Sequence, residues 1–323
     1  MAHELTIREN GMAEMAFIGS RNAVWHSLGQ ELQDNASIEE WRVQAGMDWG
    51  VLESPVEYIT TEGKKTFPDR KVLLRSDSKS GLSIVGQDFK VVQPGEVLEF
   101  FRDLVSVHGM KLSTAGTLFG GKRFWALAET GKLAEVVGGD VVKGFLLLTT
   151  AVDGTLATTA KFVAERVVCN NTLTVALGEA SKSLVKKTHK VDFDPAAVKI
   201  DLGIIDKGWE SFIGNMRKLA DTKVSTIDAT DFFQKLLFKP GVDADKQGWG
   251  ATRKVTQLLN LFQNGSGAEY SKGTAWGLLN AITEEYTHGS GKRDPSHQFW
   301  ESYHGSGDNF KTSAMNKVLE FVQ

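Results

Sequence analysis

The chain has 323 residues, with 37 Lys and Arg against 40 Asp and Glu, 41% apolar and 24% charged residues, and one cysteine. That is long enough to bury one large core or two modest ones, and 8 Trp with 18 Phe exclude a compositionally disordered chain. No window approaches the ~18 apolar residues of a membrane span, residues 1–30 lack a signal-peptide pattern, and the single Cys169 cannot form an internal disulfide, so a cytoplasmic protein is expected.

The net charge of −3 is unevenly spread. Residues 1–59 hold three basic and ten acidic side chains, residues 60–190 nineteen and thirteen, and residues 191–323 fifteen and seventeen, giving segments of −7, +6 and −2. A positive middle between negative flanks creates a local field that the whole-chain charge hides. Solvated faces produce the same arithmetic, so the pattern permits a nucleic-acid partner without requiring one. The expected organisation is an acidic segment over 1–59, a basic β-hairpin and helix core over 60–190, and a helical part over 191–323.

Taken in chain order, Ser37 with Glu40 has capping-box spacing and opens a short helix from Ile38 to Ala45, closed by Gly46. Trp49 to Ile59 and Arg70 to Arg75 have strand character, with the polar, Lys-containing Thr61–Asp69 as a hairpin loop, and Leu82 to Val85 follows as another strand. Past Pro94, the spacing of Val97, Leu98, Phe101, Leu104 and Val105 predicts an amphipathic helix ending at Gly109. The period then falls to two. Lys111–Thr117 and Phe124–Glu129 flank Gly120-Gly121 as a hairpin with Lys122 and Arg123 at its tip. A loop with Gly138-Gly139 leads to a second hairpin, Gly144–Ala151 and Thr155–Val163, turning at Asp153-Gly154. Asn170 and Asn171 then open an expected helix from Thr172 to Leu184, followed by a basic run through Lys190. Helical spacing dominates the rest: Ile204–Leu219, Asp228–Leu237 with Thr226 and Asp228 as candidate caps, Val255–Phe262, Thr274–Tyr286 and Phe310–Phe321.

Catalytic patterns are missing. The seven histidines form no His-x-x-x-His pair, although His288, His297 and His304 could meet in space to hold a metal. Asp192-Phe193-Asp194, followed by Pro195, reads as a turn rather than a metal site. There is no phosphate-binding Gly-rich loop before a helix and no nucleophile elbow, and Cys169 reads as a small buried thiol. No enzyme, metal or cofactor is expected. A binding function fits better. Lys122, Arg123, Lys161 and Arg166, with Lys182, Lys186, Lys187 and Lys190 at the close of the expected helix, would line one groove if the sheet curls against that helix, supplying a rail for phosphates. Phe124 and Trp125 flank the tip, and strand alternation sends one of them inward; single-stranded nucleic acid also needs exposed aromatic faces.

Several stretches resemble the phage/plasmid-like protein family, which carries a domain of unknown function numbered 932. They are Val24–Gly29, Ala45–Trp49, Leu82–Gly86 with Phe89 and Val92-Gln93, Asp153-Gly154-Thr155, the specific run Arg166-Val167-Val168-Cys169-Asn170-Asn171-Thr172-Leu173, and Gly273–Ala281. Ser27 stands where the resemblance leads one to expect Gly. Membership implies a phage or plasmid origin and a bacterial cytoplasm, and supplies no function.

The order of elements is also similar to the core of the single-strand annealing recombinases of the RecT and Erf types. That likeness implies an α+β fold, an antiparallel sheet of hairpins packed with helices as an annealase-like core followed by a mostly helical C-terminal part. It implies a homo-oligomeric ring or filament that binds and anneals single-stranded DNA in homologous recombination, with a phage exonuclease or host single-strand binding protein as further partners and no membrane. Under it the eight basic residues above contact phosphates, while Asn170 and Asn171 cap the helix or hydrogen-bond a strand. Trp25, Trp41 and Trp49 are expected in the core or between subunits, and acidic flanks would meet the basic centres of neighbouring subunits. Two competing readings stay open: a non-catalytic phage or plasmid assembly or protein-interaction factor using an exposed Trp276 or Trp300, and an enzyme with a dispersed site around the three histidines.

Overall fold

The computed structural model describes residues 6–8, 10–19, 28–168, 171–174, 184–192, 194, 205–243, 246–289 and 300–322. Its first helix, α1 (Ile38–Gln44), starts where the capping box requires. The Ser37 hydroxyl accepts from the Glu40 backbone N–H at 3.2 Å and the Glu40 carboxylate accepts from that of Ser37 at 2.7 Å, and Ile38 and Trp41 are buried. Helix α2 (Pro94–His108) begins with proline at its first turn and ends at Gly109, whose φ of 66° is the left-handed conformation of a helix stop.

Helix α2 packs on an eight-stranded sheet. Strands β6 (Lys111–Leu118), β7 (Arg123–Val137), β8 (Asp140–Ala151) and β9 (Thr158–Arg166) form an antiparallel meander. Beyond β6 lie β1 (Met15–Ile18) and β2 (Gln30–Leu32), the one parallel pair among those described. Both expected hairpins form, and the Gly138-Gly139 loop is a tight turn between long strands.

A smaller sheet contains β3 (Val51–Thr60), β4 (Gly63–Arg75) and β5 (Gly81–Gly86). Here Thr61–Asp69 is corrected: only Thr61 and Glu62 turn, and Gly63 onward is strand. The distal part of the hairpin is an exposed arm, so its polarity resembles that of a loop, yet cross-strand pairs hold it. Tyr58 meets Phe67 edge-on at 6.5 Å, and Lys64 pairs with Glu57. The arm's base is fixed to the large sheet by Arg75, which donates to the Glu14 carboxylate at 2.6 and 3.1 Å and lies over the Trp49 ring at 4.0 Å.

The helix expected over Thr172–Leu184 is corrected at both of its ends, while residues 175–183 lie outside the described residues. Asn171–Thr174 is strand β10, paired with Val163–Arg166, and Leu184–Lys187 is strand β11, paired with Thr158–Lys161. The two lie end to end along the edge of β9. That edge carries backbone donors and acceptors that need partners, Leu173 and Val185 bury their side chains there, and β-branched Thr172, Thr174 and Val185 suit a strand. Asn171 therefore caps no helix, and Cys169, Asn170 and Lys182 lie outside the described residues.

The C-terminal part contains helices α3 (Ile205–Asp221), α4 (Thr226–Leu237), α5 (Trp249–Asn264), α6 (Ala268–Ser271), α7 (Ala275–His288) and α8 (Ser306–Phe321) among the described residues. The α4 cap is Ser225, with Asp228 closing the reciprocal box, rather than Thr226 or Asp228 itself. Strand alternation gives the sheet two apolar faces. On one, Phe124, Leu146 and Leu148 meet α1, α2 and the small sheet, while Val142, Phe162 and Ala164 meet the C-terminal helices. On the other, Trp125, Phe145, Leu147 and Val163 are covered by Trp300 and Tyr303.

Candidate nucleic-acid interface

Two of the expected phosphate ligands face inward. Lys161 is 2% exposed, and its Nζ lies 2.9 Å from the Asp308 carboxylate, which also accepts from Thr174 Oγ1 at 2.7 Å. Burial lowers the Lys161 pKa against the opposing pull of Asp308. Arg166 is equally buried and donates through Nε and Nη2 to Asp140, both at 2.7 Å, while its Nη1 and Nη2 also reach the carbonyls of Ser266 and Gly267. The expectation that Lys161 and Arg166 line a groove is corrected: β9 is covered on both faces, and a cation there requires a carboxylate from elsewhere in the chain. Asp308 is 147 residues from Lys161, beyond any local signal.

Arg123 is also occupied. Its guanidinium lies between the rings of Phe119 at 4.4 Å and Trp300 at 4.2 Å, and it donates to Thr155 Oγ1 at 3.2 Å beside Asp153. It ties the β6–β7 and β8–β9 turns to the C-terminal part. Phe124 and Trp125 are both buried, so neither offers a ring to a base. Trp41 and Trp49 are core residues as expected, and Trp25 lies outside the described residues.

The remaining basic side chains gather at one end of the large sheet. Lys122 sits beside Val152 at the β6–β7 turn, Lys186 and Lys187 pair with Thr159 and Thr158, and Lys190 follows β11. Among the described residues, Lys122, Lys186 and Lys190 make no ion pair or side-chain hydrogen bond, and neither does Arg70 of β4. At this end a groove of about 630 Å³ opens between the β4–β5 end of the small sheet, the β8–β9 turn and the segment after β11, with Arg70, Phe89, His189 and Lys190 in its walls. Phe89 and His189 stack with ring centres 4.3 Å apart and planes 17° from parallel. The two His189 nitrogens lie 2.9 Å from the Lys90 carbonyl and 3.1 Å from that of Leu156. Both oxygens only accept, so a neutral ring donates to one and an imidazolium to both. Either way the ring is fixed across three segments. The basic run through Lys190 was visible in the sequence; the approach of Arg70 and Phe89 to it was not, because tertiary contacts between the segment after β5 and the segment after β11 bring them there, among them the Lys90 N–H donating to the His189 carbonyl at 2.7 Å.

Behind Lys161 lies a polar cluster. Burial, with the charges of Lys161, Arg123 and Lys186, holds the His304 imidazole well below its ordinary range, and its Nε2 is 2.9 Å from Thr149 Oγ1. Burial brings the Lys311 ammonium down to about 7 and pushes the Glu165 carboxyl up to about 7. His297 lies outside the described residues, and among those described no three His, Cys, Asp or Glu side chains are grouped to hold a metal. Trp276 and Trp300 are 4% and 9% exposed, which corrects the expectation of an apolar patch built on either.

The family model described as "Domain of unknown function (DUF932)" matches residues 81–303, and the chain belongs to that family. No curated protein and no solved structure matches it. Two of the stretches that carry the resemblance meet in space: Arg166 opens one, Trp276 lies in the other, and both bond Asp140. The most specific run thus starts from a buried anchor at the β9–β10 corner. No helix among the described residues is long and apolar enough to cross a membrane.

Proposed function

We propose that the chain is a non-enzymatic single-stranded DNA binding and annealing protein of a phage or plasmid, acting as a homo-oligomer in the cytoplasm of a bacterial host. The observation that carries this reading is the groove at the cationic end of the sheet, where Arg70 and Lys190 stand without carboxylate partners beside a stacked aromatic pair. Free cations supply sequence-independent attraction to phosphates, and aromatic faces suit unpaired bases. The meander packed against α2 supports the likeness to annealing recombinases, whereas the strands β10 and β11 at the two ends of the expected closing helix weaken it. Fluorescence anisotropy with a labelled, unstructured oligonucleotide tests the reading: binding should fall steeply as salt rises, and no binding at low salt ends it.

A protein-interaction or assembly role is favoured by a different observation. The β3–β4 arm exposes Tyr58, Phe67 and Ile59, the last at 88%, on a two-stranded ribbon that is marginally stable by itself. Pull-down of an exonuclease or host single-strand binding protein that is lost with Ile59→Asp would support that role.

A further inference from the structure

We propose that the groove between the two sheets is a nucleotide site, in which the Phe89–His189 pair takes one unpaired base by stacking and Arg70 and Lys190 flank its phosphate. The inference rests on the single-strand reading above and deepens it, because a rail of cations binds single and double strands alike whereas a stacking site requires an unpaired base. The groove has the volume of a small-ligand site rather than of a long channel. Asp69 and Asp88 share its lining with the two cations, so it is no general anion trap, and an added aromatic contact must supply part of the affinity. The platform is anchored: His189 sits between two backbone carbonyls and donates to at least one of them, and Phe89 is half-buried against the core shared by α1 and α2. A base that enters loses little order in the protein, which favours binding.

The test compares two labelled oligonucleotides of equal length and phosphate count, oligothymidylate and its abasic counterpart, against the full-length protein in low salt. The abasic strand should bind at least about tenfold more weakly. Phe89→Leu should remove most of that difference, and Phe89→Tyr should restore it. Equal binding of both strands by the wild type, or a difference that persists in folded Phe89→Leu, overturns the base site and leaves the phosphate-binding reading intact. Binding of neither strand overturns both, and thymidine monophosphate that then binds in a Phe89-dependent way assigns the groove to a free nucleotide instead. Should Phe89→Leu not fold, photocrosslinking from 4-thiothymidine in the strand decides: adducts at Phe89 or His189 support the site, and adducts confined elsewhere overturn it.

Discussion

Asp140 and Arg166 form a fully buried, two-pronged ion pair, and the same aspartate oxygen that takes Arg166 Nη2 at 2.7 Å accepts Trp276 Nε1 at 2.8 Å. The pair joins the start of β8, the end of β9 and helix α7, so it fastens the helical part to the sheet. A buried pair is costly to break because the surviving charge has no water. Arg166→Met should therefore destabilise the protein by about 3–5 kcal/mol. Adding Asp140→Leu should recover part of that loss, since no charge is then stranded. Chemical denaturation of the two variants checks both; a double variant as unstable as the sum of the singles would count against a stranded charge as the cause.

Lys311 gives stability a slope on the alkaline side. Its ordinary value of 10.5 falls to about 7, chiefly through burial, with Asp308 opposing and Lys161 adding to the effect. Between those values the folded chain binds fewer protons than the unfolded chain, so stability rises as pH climbs from about 7 toward 10.5. Lys311→Met should raise the melting temperature at pH 7 and flatten that slope. Melting curves across the range decide, and an unchanged slope would show that Lys311 is not the group responsible.

Glu165 acts in the opposite sense at lower pH. Burial raises its carboxyl from 4.5 to about 7, with Lys143 pulling down and Glu129 pushing up. The folded chain holds the proton longer than the unfolded chain, so this group's contribution is greatest below 4.5 and is lost as pH rises through about 7. Glu165→Gln should keep the acid-side stability at neutral pH. The same melting series reads it out.

The cations at the sheet end should act on binding rather than on folding. Lys186→Glu together with Lys190→Glu should weaken oligonucleotide binding to all sequences alike and reduce the slope of affinity on salt, with little change in melting temperature. Lys161→Glu, by contrast, would strand two carboxylates in the interior and should unfold the chain before binding can be measured.

What the sequence disclosed follows from where its signals are local. The Ser37–Glu40 box, the Gly109 stop and the glycine turns of the hairpins are each set by a few adjacent residues, and each formed where expected. The strands β10 and β11 were misread as a helix because their partner, the edge of β9, is supplied by tertiary structure. The β3–β4 arm was misread because both of its faces meet solvent and hide the alternation of a strand. At the candidate site, the lysines after β11 were legible as a basic run. Lys161 and Arg166 looked the same in sequence, and only the distant Asp308 and Asp140 turn them into interior ion pairs.

The mass of the purified protein with and without a single-stranded oligonucleotide tests the proposed function most directly. An oligomer that carries the strand, at low salt and in defined stoichiometry, is the expected result. A monomer whose mass is unchanged by the oligonucleotide would contradict both annealing and assembly.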